Sequence, residues 1–177
     1  GNLLCGKTVG IIGAGAIGKR TAVLCKAFGC KVIAYSRSRV EHPAIDRQVT
    51  LEELLKEADI VSLHCPLTEE TRGMIGEEQL RMMKKTAVLI NTARGPVADS
   101  EALAKALTEG RIAGAACDVF ETEPPLDAEH PLLHTPNTIV TPHIAFASEE
   151  SMEQRADIVF ENLYAWLEGK QLNKVEI

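Results

Sequence analysis

The 177-residue sequence has no apolar run approaching the ~18 residues of a membrane span, no long block of like charge, and no C-x-x-C pair among its five cysteines. The first absence excludes a bilayer-crossing helix. The second, with a formal net charge of −6, argues against a nucleic-acid surface. The third leaves Cys5, Cys25, Cys30, Cys65 and Cys117 as free thiols, most of them expected in strands or packed helix, in a reducing compartment. His130 and His134 are four apart, but Pro131 lies between them and no third ligand is evident, so no metal site is expected. Internal repeats, low-complexity tracts and a signal peptide before the first strand are also missing, and a cytoplasmic protein is expected.

What is present is an ordinary globular composition, 45% hydrophobic and 25% charged. A chain of this length fits a single domain that buries about 70% of its unfolded surface. The organising stretch is Gly10 to Lys19. Thr8 to Ile12 is a short apolar, β-branched run that reads as a strand buried on both faces. Gly13-x-Gly15-x-x-Gly18 follows. Gly13 suits a tight turn, Gly15 lets backbone approach a pyrophosphate, and Gly18 lets the next helix pack closely. The helix start, Ala16 and Ile17, supplies free N–H donors and partial positive charge to a bound anion.

Ile17, Thr21, Leu24, Cys25 and Phe28 recur at helical spacing and predict the packing face of that helix, with Gly29 as its stop. Lys31 to Tyr35 is a second strand, which completes a βαβ unit. Further predicted strands are Ile60 to His64, Ala87 to Ile90, Ile112 to Cys117 and Thr138 to Val140. Helices are predicted over Leu51 to Lys56 with Thr50 as N-cap, over Glu77 to Met83, and from Asp99 or Ser100 to Thr108 with Gly110 as stop. Pro124 and Pro125 forbid a helix in the exit segment that begins at Asp118. Ser148 to Leu167 is a long amphipathic helix with Met152, Ala156, Val159, Leu163 and Trp166 on one face, free to pack internally or on a partner. Alternating strands and helices imply a single-domain α/β fold, a doubly wound parallel sheet of the Rossmann type over 1–168, with 169–177 as a tail.

Ligands of such sheets lie outside the carboxyl ends of the strands. Arg94, Glu123 and His143 each follow a different predicted strand within a few residues, with Asp118 close beneath, so distant positions converge on one crevice. Singly, each has a duller role as a surface ion-pair partner, a solvated carboxylate or a capping imidazole. Together beside a dinucleotide motif they point to chemistry.

Four blocks, Gly13-Ala14-Gly15-Ala16-Ile17-Gly18, Asn91-Thr92-Ala93-Arg94-Gly95, Asp118-Val119-Phe120-Glu121-Thr122-Glu123-Pro124 and Thr141-Pro142-His143, resemble the signatures of the D-isomer-specific 2-hydroxyacid dehydrogenases, in that family's order. The resemblance covers nearly the whole chain, including the closing Gly169 to Val175. It implies hydride transfer between a nicotinamide cofactor and a small 2-keto or 2-hydroxy acid, in the manner of glyoxylate or hydroxypyruvate reductases. Arg94 is then the substrate binder, His143 the acid/base and Glu123 its partner. Asp118 lies near the nicotinamide carboxamide, and Cys65, Pro66, Thr92 and Ala93 line the cofactor. A homodimer made through this domain is also implied. Two departures stand out. The substrate-domain segment that usually precedes the cofactor domain is absent, so binding without turnover is expected of this chain alone. The loop Ile144-Ala145-Phe146-Ala147 lacks a frequent glycine where Ala145 would meet the nicotinamide.

The ribose-reading position falls about 20 residues after the glycines, at Ser36. An NAD-selective site has a carboxylate there. Ser36 followed by Arg37 and Arg39 instead favours the 2′-phosphate of NADP, with NAD still open. A non-enzymatic alternative is a dinucleotide-sensing interaction protein, since co-repressors share this fold and these residues. Another Rossmann enzyme, such as a hydrolase that uses bound cofactor, fits the strand-exit residues less well.

Overall fold

The computed structural model describes residues 1–123 and 126–174. The expectation of no helix at Pro124 and Pro125, and Val175 of the closing segment, lie outside the described residues. The chain divides into two compact units, Gly1–His143 and Ile144–Ile177.

The first unit runs β1 (Thr8–Ile12), α1 (Ala16–Ala27), β2 (Lys31–Tyr35), β3 (Arg47–Gln48), α2 (Leu51–Glu57), β4 (Ile60–Leu63), α3 (Glu77–Met82), β5 (Val88–Asn91), α4 (Ser100–Thr108), β6 (Gly114–Cys117) and β7 (Thr138–Val140). The strands form one parallel sheet in the order β3-β2-β1-β4-β5-β6-β7. The chain leaves β1 toward one edge and returns to continue from β4 toward the other. That reversal between β1 and β4 opens a crevice above their carboxyl ends, the position where such sheets bind ligands.

Strand alternation assigns the two faces. Val9, Ile11, Val32 and Ala34 pack on one side with Ala22 of α1. Ile12, Ile33, Val61, Leu63 and Leu89 pack on the other with Leu54, Leu55, Leu80 and Leu103 from α2, α3 and α4. Local chemistry starts and stops the helices where the sequence predicts. Thr50 accepts from Glu53 N and Glu53 returns a carboxylate to Thr50 N, a reciprocal cap. Asp99 accepts from Ala102 N, and Gly29 and Gly110 stop helices at positive φ.

Two expectations need correction. The packing face of α1 is centred on Gly18 and Ala22, with Thr21 and Cys25 of the predicted stripe half-buried beside them, while its other members, Ile17, Leu24 and Phe28, are 72%, 56% and 64% exposed. A Cβ on Gly18 would sit 2.1 Å from Gly13 O and 3.1 Å from Ile11 Cγ2. Close backbone approach there sets the rotation of the helix, and the apolar stripe one residue away, about 100° round the axis, turns outward. The second is β3, a two-residue exposed strand with no apolar signature. It pairs with β2 and is not among the strands predicted from the sequence.

In the second unit, α5 (Glu149–Leu167) begins at Ser148, which accepts from Ser151 N while Ser148 N donates to Ser151 Oγ. The Arg155 guanidinium lies 5.7 Å from the centre of the Phe146 ring. Met152, Val159, Leu163 and Trp166 on the predicted face are exposed. Among the described residues, no helix is long and apolar enough to cross a membrane.

Candidate active site and cofactor cleft

Above β1 and β4 lies a cleft of about 440 Å³. It falls in the range of small-molecule sites. Of the residues expected at the cofactor, Gly13, Gly15, Ser36, Arg37, Cys65 and Pro66 line it. The glycine turn is suited to a pyrophosphate. Gly13 has φ +96°, and a Cβ there would come within 2.6 Å of Cys65 N. At Gly15 a Cβ would meet nothing within 4 Å, so the approach to its backbone is open where the helix presents its first N–H groups. Gly13 N donates to Tyr35 O, which ties the turn to the end of β2 beside Ser36. Ala16 and Ile17 open α1, exposed, and Gly18 is buried beneath it.

Other cleft residues were not evident from the sequence. Tyr35, His64, Thr68, Glu70, Thr71 and Met74 also line the wall. Thr71 Oγ1 donates to Pro66 O at 2.7 Å and accepts from Thr68 N at 2.8 Å, which shapes the loop after β4. The spacing Pro-x-Thr-x-x-Thr was the available signal. His64 Nε2 meets Ser62 Oγ at 2.9 Å, and burial holds its imidazole below its ordinary pKa. Of the two fully charged lining residues, Arg37 faces Glu70 at 3.8 Å. Arg39 does not line the cleft; it pairs with Glu41 at 2.6 Å.

The other predicted residues sit on the adjacent exits of β5, β6 and β7. Backbone pairing runs on past the strand ends: Asp118 N donates to Asn91 O, Thr141 N to Cys117 O and His143 N to Asp118 O at 2.8 Å. The loop with Thr92, Ala93 and Arg94 is folded around Asn91, which is 2% exposed. Asn91 Oδ1 accepts from Ala93 N and Asn91 Nδ2 donates to Arg94 O. Thr92 and Arg94 are exposed and Ala93 is buried. Arg94 Nη1 donates to Ala93 O at 2.6 Å. Gly95 presses this loop on the next, since a Cβ there would lie 2.0 Å from the carbonyl carbon of Phe120.

Glu123 and His143 meet directly. His143 Nδ1 lies 2.5 Å from Glu123 Oε2, and Glu123 Oε1 accepts from Phe120 N at 2.7 Å. Burial pushes the Glu123 carboxyl up, but the Phe120 N–H and the His143 ring outweigh it and hold the group below its ordinary value. Asp118 is buried and accepts from Thr141 Oγ1 at 2.5 Å, so Thr141 and Asn91 are supporting residues that single-residue inspection passes over. Ala145 belongs to the second unit. His134 and His130 have structural partners: His134 Nε2 meets Ala128 O at 2.7 Å and His130 Nε2 meets Glu121 Oε2 at 3.1 Å.

The arrangement combines a crevice at the reversal of strand order with an exposed guanidinium and an imidazole–carboxylate pair on neighbouring strand exits. The chain is 51% identical over 170 residues to a glyoxylate reductase of Aeropyrum pernix, covering 94% of this chain and 50% of that protein. A D-isomer specific 2-hydroxyacid dehydrogenase from Lactobacillus delbrueckii ssp. bulgaricus, solved in its NAD complexed form, superposes with a TM-score of 0.88 at 38% identity, over 99% of this chain and 57% of that one. An acyclic imino acid reductase solved with NADPH and D-Arg superposes with a TM-score of 0.90 at 35% identity, over 99% and 55%. The chain spans about half the length of the curated relatives it matches. Residues 1–145 match the NAD binding domain of the D-isomer specific 2-hydroxyacid dehydrogenases, and the chain belongs to that family.

Proposed function

We propose that these residues form the cofactor-binding half of an NADP-preferring dehydrogenase that interconverts a small 2-keto acid, of the glyoxylate or hydroxypyruvate class, and its 2-hydroxy acid. The observation that carries the chemistry is the 2.5 Å contact between His143 Nδ1 and Glu123 Oε2 at the carboxyl edge of the sheet. The nicotinamide, when bound, supplies or takes the hydride. Arg94 offers a planar pair of donors to the carboxylate and carbonyl oxygens of the keto acid and fixes its orientation. As the carbonyl oxygen gains charge, protonated His143 gives it the Nε2 proton, and the ring is left neutral with its Nδ1–H on Glu123. In the reverse direction neutral His143 takes the hydroxyl proton. Glu123 favours the charged ring and keeps its orientation.

The cofactor set proposed is Gly13, Gly15, Ala16, Ile17, Gly18, Ser36, Arg37, Arg39, Cys65, Pro66, Thr92, Ala93 and Asp118 with Arg94 and His143. Ser36 at the end of β2 and Arg37 on the cleft wall support NADP over NAD. The substrate-selecting pocket is assigned to a segment outside these 177 residues, in keeping with the half-length match. Free thiols, three of them buried, support a reducing, cytoplasmic setting. The exposed Ile17, Leu24 and Phe28 of α1 support a homodimer through this domain, which sedimentation of Leu24→Asp against wild type tests.

The functional test is a panel of glyoxylate, hydroxypyruvate and pyruvate with NADPH and NADH, run on the complete protein and on this chain. The complete protein should turn over one or more keto acids and the chain alone should bind dinucleotide without turnover. Dinucleotide binding by the complete protein with no turnover of any keto acid would favour the sensing alternative.

A further inference from the structure

The segment Ser36 to Val40 follows β2 without regular structure, and its first three residues, Ser36, Arg37 and Ser38, line the cleft. Val40 packs, half-buried, against the cluster around Val9, Ile11 and Val32, but the side chains nearer the cleft do not hold the segment. Arg37 reaches across to Glu70, Arg39 pairs with its neighbour Glu41, and all four are largely exposed. Its backbone is instead gathered by one side chain from another strand. Gln48 Nε2 donates to Ser36 O at 3.1 Å and to Ser38 O at 2.9 Å, and Gln48 Oε1 accepts from Val40 N at 2.9 Å.

The base of this side chain is firm although its strand is short. Gln48 pairs in register with Ala34 of β2, flanked by Asp46 N donating to Val32 O and Val49 N donating to Ala34 O. Asp46 Oδ2 also accepts from Val32 N, and Lys26 of α1 pairs with the same carboxylate at 2.8 Å. A primary amide suits the task chemically, because it alone among side chains of this reach presents two donors and an acceptor together. A carboxylate in its place could still accept from Val40 N but would face two carbonyl oxygens.

We propose that Gln48 is a positioning residue that sets the shape of the 36–40 loop and, through it, discrimination between NADPH and NADH. This rests on the NADP assignment above. Gln48 lies on an exposed strand outside the buried clusters, so its removal costs little core packing. What it removes is the order of a loop whose N–H, hydroxyl and guanidinium groups must be preset to meet a 2′-phosphate.

The test compares wild type, Gln48→Ala, the isosteric Gln48→Glu and Arg37→Ala by fluorescence titration with NADPH and NADH, thermal melting, and limited trypsin digestion. Arg37 and Arg39 make the loop itself a tryptic reporter of its order. Both Gln48 variants should speed cleavage after Arg37 and Arg39. They should raise the NADPH Kd by about five-fold, the order of one lost neutral hydrogen bond, with NADH affinity unchanged. If Arg37→Ala abolishes NADPH preference while the Gln48 variants keep the wild-type ratio, the proposal falls and the NADP assignment stands. If wild type binds NADH as tightly as NADPH, the NADP assignment fails and takes the discrimination role with it. Unchanged cleavage in both Gln48 variants overturns the positioning role on its own.

Discussion

His143 holds a left-handed backbone, φ +54°, while its Nδ1 lies 2.5 Å from Glu123 Oε2. For a bulky residue this conformation costs on the order of 1–3 kcal/mol and persists where surrounding bonds over-determine it. Here His143 N donates to Asp118 O and to Thr141 O, and Glu123 is itself fixed by Phe120 N. A strained residue held by its neighbours at a strand exit supports the proposed acid/base role.

Removal of the imidazole should therefore strike the chemical step. In the complete protein, His143→Ala should lower kcat for keto-acid reduction by ~10²-fold or more. Glu123→Gln should fall between that variant and wild type, because the imidazole remains while its carboxylate partner is lost, and the single amide oxygen can accept from His143 Nδ1 or Phe120 N but not both. Dinucleotide Kd should change little in either, and near-normal kcat in His143→Ala across pH would remove the assignment.

Glu123 also links stability to pH. Its carboxyl is held below the ordinary value, so the stability it contributes is fully present above the unfolded value of about 4.3 and is lost as pH falls through the lower folded value. Thermal melts of Glu123→Gln and wild type should thus differ at neutral pH and converge on acidification below that value. A gap that widened toward acid would reverse the sign.

The glycines separate folding from binding. Gly18→Ala places a Cβ 2.1 Å from Gly13 O, a backbone atom that cannot move aside cheaply, and overpacking of this kind costs about 1–3 kcal/mol or more. Gly15→Ala meets nothing within 4 Å. The first should lower Tm, while the second should melt as wild type yet lose dinucleotide affinity by filling the approach to its backbone. Equal melting of the two variants would contradict the packing described.

Much of this was legible before the structure because the signals are local. Thr8 to Ile12 and Lys31 to Tyr35 are apolar runs of strand length, and Thr50, Asp99 and Ser148 cap helices through their own side chains. The misread face of α1 shows where locality fails: periodicity favours Ile17, Leu24 and Phe28, but the contact of Gly18 with Gly13 O decides the rotation. Asn91, Thr141 and Gln48 were passed over for a related reason. Each is an ordinary polar residue: Thr141 and Gln48 bond residues distant in the chain, while Asn91 bonds the backbone of the loop that follows its own strand, and only the folded backbone reveals these pairings.

Cofactor preference turns on a comparison of two weak interactions. Arg37 pairs with Glu70 at 3.8 Å, with both side chains largely exposed, and such a pair is worth about 0–1 kcal/mol. A 2′-phosphate brings a charge of about −1.5 to −2 and several acceptor oxygens. Its hydrogen bond to a guanidinium is worth about 1.5–3 kcal/mol. The exchange of Glu70 for phosphate is therefore favourable, and the Ser36 hydroxyl adds a donor at the end of β2. NADPH should bind about tenfold more tightly than NADH at low ionic strength, and the difference should shrink with added salt as the exposed charges are screened. Ser36→Asp sets a carboxylate against the phosphate and in reach of the ribose hydroxyls, so it should reverse the ratio. Titration of both cofactors at two salt concentrations checks it; equal Kd values in wild type, with no response to Ser36→Asp, would assign the arginines of this loop to solvent alone.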